Sequence, residues 1–359
     1  MPRKHRLLLV GVGFFLACLI AEGGLRFYRA FRMEPPPVAA DLISLLTPEV
    51  QSPSQKQGLF MPDPGLIYRH RPGGRMVWRR VEHQVNAQGW RGPDWPKVEE
   101  DDTVLLCLGD SITFGLGVPF EETFCERVKP FLTPDSPRVP IVLNAGVGGY
   151  NVQQKVRLFE ALLPIWKPDI VILDFYRDDL VPFFLGVDGR GRLIWNPESF
   201  RPPLAEFQVF PTVLKRHSLL LKFVEQRVRM LLHTSLLQIP WASRWSREGM
   251  AWQEAERNLD RLVRLARPFH VQVVLAYFPN SLDFRHRIFR LDPDFLRLRR
   301  IARKLKIPLV DMREVFRSHL EEGLYLEGDL VHLNRRGHEL AAGALAKAMG
   351  PLLRRPVKE

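Results

Sequence analysis

The sequence predicts an α/β domain, a three-layer α/β/α arrangement with a central parallel sheet of about five strands, behind an N-terminal membrane helix. Three observations predict it. Continuous apolar runs such as IVILDF (170–175) and VQVVLAYF (271–278) are those of strands covered on both faces. From residue 103 onward such runs alternate with helical patterns, the rhythm of βαβ units. The apolar stretch LLLVGVGFFLACLIA (7–21) follows Arg3, Lys4, His5 and Arg6.

That stretch comes first in the chain. As a helix it spans roughly 22 Å, against a hydrocarbon core of about 30 Å. Gly23, Gly24 and Leu25 lengthen it and Arg6 can snorkel, so residues 1–32 read as an uncleaved signal anchor. The basic residues before it place the rest of the chain outside the cytoplasm, while Arg26, Arg29 and Arg32 pull the other way. Residues 33–57, with Pro35, Pro36 and Pro37, read as a proline-rich stalk. Residues 58–102 carry short alternating stretches between prolines and glycines, and read as a small cap with one or two strands.

The main domain is expected over 103–355. Its strands are TVLLCL (103–108), PIVLNAG (140–146), IVILDF (170–175), VQVVLAYF (271–278) and IPLVDM (307–312). Its helices are EETFCERVKPFL (121–132), VQQKVRLFEALL (152–163), QEAERNLDRLVRLA (253–266), DPDFLRLRRIARKL (292–305) and RRGHELAAGALAKAMGPLL (335–353). Residues 181–250 break the rhythm. Within them, 213–232 has the apolar spacing of an amphipathic helix, read as an inserted helical hairpin on the core, or else a lid or membrane-touching surface.

With 359 residues, 46% apolar and 26% charged, the chain is globular. Its net charge of +12 suits an anionic partner or a solvated arginine-rich surface. No run of five basic residues and no zinc-finger spacing occurs, so nucleic acid is not expected as a partner. Cys18, Cys107 and Cys125 form no disulfide framework, and without CxxC or HExxH no metal site is expected.

In an open parallel sheet, functional groups gather beyond the carboxyl ends of the strands. Here those ends carry Gly109-Asp110-Ser111, then Asn144 through Asn151 with Gly146, Gly148 and Gly149, then Tyr176-Arg177-Asp178-Asp179; Asp329 and His332 follow the last strand. A serine nucleophile needs a base in hydrogen-bond reach and an acceptor to orient that base. Ser111, His332 and Asp329 are the candidates, and the Ser111 and Gly149 amides can serve an oxyanion. Asp110 reads as structural, bonding loop amides, and Tyr150, Asn151 and Tyr176 as pocket or packing residues. His70, His83, His217 and His338 read as surface or capping residues. The glycines after 146 lack the third glycine of a dinucleotide fingerprint, and 109–115 lacks the Lys of a P-loop.

These blocks, VLLCLGDSITFGLGV, VLNAGVGGYN and DLVHLNRRGH, resemble the SGNH (GDSL-type) hydrolases in type and order. NAQGWRG (86–92) is similar to bacterial envelope members with an N-terminal anchor. The resemblance implies a flavodoxin-like SGNH fold, esterase chemistry, no cofactor, and Gly149 as the oxyanion glycine. One block departs: where the family has Gly-x-Asn-Asp, this chain has Tyr176-Arg177-Asp178-Asp179. An ionised Asp178 only accepts hydrogen bonds, so either it is protonated or Arg177 supplies the donor, unless the site mainly binds. The expectation is a membrane-anchored, extracytoplasmic serine esterase acting on an acylated glycan or a lipid ester. The alternatives are an exopolysaccharide O-acetyltransferase and an envelope scaffold with a decayed site.

Overall fold

The computed structural model describes residues 58–132, 139–180, 185–187, 193–195, 250–284 and 292–353, with Ala17, Glu22 and Ser218 besides. The chain divides into two compact units, residues 1–43 with 200–244 and residues 44–199 with 245–359. Everything below concerns the second. The expected membrane helix, the stalk and most of the expected insertion lie outside the described residues. Among the described residues no helix is long and apolar enough to cross a membrane.

Residues 58–84 form two antiparallel hairpins, β1 (Phe60–Asp63) with β2 (Ile67–His70), and β3 (Arg75–Trp78) with β4 (Val81–Gln84). The sequence suggests one or two strands here; there are four, because each is only four residues long and its alternation is brief. The central sheet holds β5 (Val104–Gly109), β6 (Ile141–Gly146), β7 (Ile170–Phe175), β10 (Gln272–Tyr277) and β11 (Leu309–Asp311). The intervening β8 (Leu185–Val187) and β9 (Leu193–Trp195) pair apart from it. Its order is β11-β10-β7-β5-β6, and every neighbouring pair is parallel. The chain steps from β5 outward to β6 and then back past β5 to β7. The crevice of such a sheet lies at that reversal, between β5 and β7.

Alternation along the strands fills both faces. Val104, Leu106 and Leu108 of β5 join one apolar cluster, Leu105 and Cys107 the other. The first cluster takes in Val156 and Phe159 of α4 (Val152–Trp166), Leu259 and Leu262 of α5 (Met250–Ala266), and Leu298 and Ile301 of α6 (Pro293–Leu305). The second takes in Met312 and Phe316 of α7 (Met312–Arg317) and Ala341, Ala342 and Leu345 of α8 (Arg335–Leu353). Sheet and helices thus form three layers.

Two elements depart from expectation. The helix expected over 121–132 is a 3₁₀ turn (Phe120–Glu122), then α2 (Phe124–Arg127) and α3 (Lys129–Leu132). Thr123 makes the break: its backbone is extended, its hydroxyl donates to the Phe120 carbonyl, and its side chain caps α2 by accepting from the Glu126 amide. The helix expected to stop at 163 continues through Pro164 to Trp166, where Lys167 ends it in a left-handed conformation.

Candidate active site

The chain after β5 turns into one helical turn, α1 (Ser111–Phe114), with Asp110 as its cap: Asp110 Oδ1 accepts from the Ile112 amide at 2.8 Å. This places Ser111 at the reversal of strand order. A Cβ on Gly109 would collide with the Asp174 carboxylate of β7 and the Thr113 hydroxyl, so only glycine lets the turn lie this close to β7.

His332 arrives on the loop between α7 and α8. That loop is pinned by bonds from the Leu326 amide to the His332 carbonyl (3.0 Å) and from the Asn334 amide to the Leu324 carbonyl (3.0 Å). Asn334 then accepts from the Arg336 and Gly337 amides and starts α8. Within the loop, Asp329 Oδ1 accepts from the amides of Val331 (2.8 Å) and His332 (2.9 Å). Its other oxygen, Oδ2, lies 2.9 Å from His332 Nδ1, and His332 Nε2 lies 2.9 Å from Ser111 Oγ. All three residues are buried. Burial would raise the Asp329 carboxyl, but the His332 ring and the two amides outweigh it and bring it down to about 2. Ionised, Asp329 only accepts, so Nδ1 carries the ring proton and Nε2 is left to accept from the serine hydroxyl.

Gly149 follows β6 with φ +78°. Among the described residues its amide donates no hydrogen bond to backbone. Its neighbour Gly148 lies beside Ser111, an added Cβ there standing 4.0 Å from that of the serine. The buried Tyr68 of β2 donates to the Gly148 carbonyl at 2.9 Å, and Tyr150 donates to the Tyr68 carbonyl. Tyr150 therefore braces the glycine turn against the first hairpin. Asn151 caps α4, exchanging bonds with Gln154. Arg177 is exposed; its Nε pairs with Asp294 at 3.5 Å, and no described hydrogen bond joins it to Ser111. The side chain of Asp178 lies outside the described residues.

Sequence reasoning missed a buried charge beneath the serine. Lys155, on the sheet side of α4, contacts Asp174, Asp179 (2.6 Å) and Asp110 (3.5 Å), all inside the protein. Asp174 also accepts from Thr113 and, at 3.2 Å, from the Asp110 amide. Burial opposes the charge on Lys155, but the three carboxylates together hold its ammonium above the ordinary value. Burial and Asp110 push Asp174 up to about 6 against the pull of Lys155. The three carboxylates alone have metal-ligand spacing, their oxygens lying within 4.8 Å of one another, but the ammonium touches all three and supplies the cation. The signal was present: Val152, Lys155, Val156 and Phe159 share a helical face, and a lysine on that stripe must find anions inside.

Three histidines read as surface or capping residues are interior. His70 is buried between Phe60 and Phe114, His83 is buried against Phe114, and burial holds each at about 3. His338 is also buried, but it does cap: its Nδ1 accepts from the Phe124 amide at the start of α2. His217 lies outside the described residues.

A buried serine, histidine and carboxylate thus meet at the switch point of a parallel sheet in an α/β protein. A model of the GDSL-like Lipase/Acylhydrolase family matches residues 107–340, more than half of the chain, and the chain belongs to that family. Among solved structures it is similar to TesA (15% identity, TM-score 0.44, covering 70% of this chain and 99% of that one). It is also similar to a lipase/acylhydrolase from Enterococcus faecalis (14%, 0.43, 72% and 100%). A third is a catalytic mutant of Axe2, an acetylxylan esterase from Geobacillus stearothermophilus (17%, 0.40, 71% and 97%). No curated protein matches the chain.

Proposed function

We propose that the protein is a serine esterase that removes acyl groups, O-acetyl foremost, from a cell-envelope or secreted glycan. The observation that carries this reading is the pair of 2.9 Å contacts joining Asp329 to His332 and His332 to Ser111. In the first step the Ser111 oxygen attacks the ester carbonyl while its proton passes to His332 Nε2. The Ser111 and Gly149 amides receive the oxyanion, with Arg177 or a protonated Asp178 as third donor. His332 then returns the proton to the leaving alcohol, and the C–O bond breaks to give acyl-Ser111. Water, deprotonated by His332, attacks the acyl carbon; the bond from that carbon to the Ser111 oxygen breaks, His332 returns the proton to the serine oxygen, and the acid leaves. Asp329 stays ionised throughout and steadies the imidazolium. In this reading residues 1–32 anchor the domain on the outer side of the cytoplasmic membrane, as the basic residues before the apolar stretch favour.

A fluorophosphonate probe tests the nucleophile. The wild-type protein is expected to be tagged and Ser111→Ala not, with 4-nitrophenyl acetate turnover falling at least about a thousandfold in the variant. Equal tagging of both proteins would remove Ser111 from the mechanism. Acetyl groups appearing on an added oligosaccharide, rather than as free acetate, would make the protein a transferase.

A further inference from the structure

The matched segment begins at Cys107, yet the site is gripped from residues before it. β3 and β4 are joined by only Arg79 and Arg80, at φ +49° and +66°. Two successive left-handed residues make the hairpin turn that Asn-Gly ordinarily occupies, and two arginines fill it against a steric cost. Broken local rules of this kind gather at functional sites.

The tip of this hairpin meets the histidine loop. Arg79 Nη2 lies 3.8 Å from Asp329 Oδ2, the oxygen that faces His332. Arg79 Nη1 donates to the Glu327 carbonyl, and the guanidinium lies 4.9 Å from the Trp78 ring centre. Trp78 itself is buried edge-on against the His332 imidazole, with centroids 5.6 Å apart. The same hairpin holds the turn that follows α1. His83 Nε2 accepts from the Gly117 amide at 3.2 Å, and a Cβ on Gly117 would collide with Leu326 and Trp78. One hairpin thus touches both the serine side and the histidine side of the site.

We propose that Arg79 is a positioning residue for the acid–base pair, holding the Asp329 carboxylate in line with His332 and keeping a positive charge beside it. The inference rests on the roles given above to Ser111, His332 and Asp329. Four titratable or charged groups surround the pair: Asp329 bonds the imidazole, Arg79 on the hairpin lies against Asp329, and His83 on β4 and His338 on α8 are near enough to feel the charge of His332. The two histidines are buried and uncharged near neutral pH. Arg79 is therefore the cation whose loss would ease protonation of His332 and idle the base.

The test is the pH profile of 4-nitrophenyl acetate hydrolysis by the full-length protein, from about pH 5 to about pH 9. Arg79→Asn removes the charge but suits the turn, so its melting temperature is expected to stay level or rise. Its kcat is expected to fall about tenfold with KM little changed. The acid limb of kcat/KM should move up by about half a pH unit, and the gap from wild type should close in about 1 M salt. Arg79→Lys should restore the limb, and Arg80→Asn should leave it in place. An Arg79→Asn limb that coincides with wild type, or an Arg80→Asn limb that moves as far, overturns the proposal. Full activity in Ser111→Ala overturns the roles beneath it instead, and the two failures are told apart by the variant that shows them.

Discussion

Lys155 is fully buried, and three carboxylates meet around its ammonium directly beneath the serine turn. Taking one member from such a cluster leaves the others as uncompensated charge in a low dielectric. Lys155→Met keeps much of the volume and removes the charge. It is expected to cost about 3–5 kcal/mol of stability, read from the midpoint of urea unfolding. Single residues with a stated chemical role, Ser111, His332 and Asp329, could be picked out from the sequence because each has a short local context. Lys155 could not be matched to its partners, because Asp110, Asp174 and Asp179 come from the ends of two different strands. The parallel register of β5 and β7, with Cys107 opposite Ile172 and Leu108 opposite Leu173, is what brings them together.

At the scale of elements, the glycine turn between β6 and α4 depends on how α4 starts. Asn151 and Gln154 satisfy each other's amides there, and Gln154 also donates to the Leu66 carbonyl at 2.7 Å, reaching the turn of the first hairpin. Asn151→Ala removes half of the capping box and is expected to cost about 1 kcal/mol, seen as a lower urea midpoint at an unchanged slope. The five strands of the sheet were readable because burial on both faces leaves an uninterrupted apolar run. The last helix was readable to its ends, Arg335 and Leu353. The split at Thr123 was not, since 121–132 keeps a helical pattern and only the conformation of one residue interrupts it.

Across the described residues, buried histidines sit in the hairpin region and in the first turn of α8, and burial holds His70, His83 and His338 at about 3. The unfolded chain binds these protons near pH 6.5, whereas the folded chain refuses them until about pH 3. Their contribution is complete above that upper value and is lost as pH falls. Asp174, raised to about 6, works in the opposite sense as its proton is taken up. The ring of His70 packs between Phe60 and Phe114, and burial there outweighs the pull of the Gly89 backbone on its proton. His70→Phe is therefore expected to lose less melting temperature than wild type between about pH 6.5 and pH 4.5. An equal loss in both would show that the proton is refused elsewhere. The hairpins have a practical consequence for anyone cloning this gene. A truncated product that starts at Cys107, where the match to the family model begins, would lack Tyr68, Trp78 and Arg79. Such a fragment is expected to be inert through the choice of boundary, and its silence in an assay would say nothing against the proposed activity.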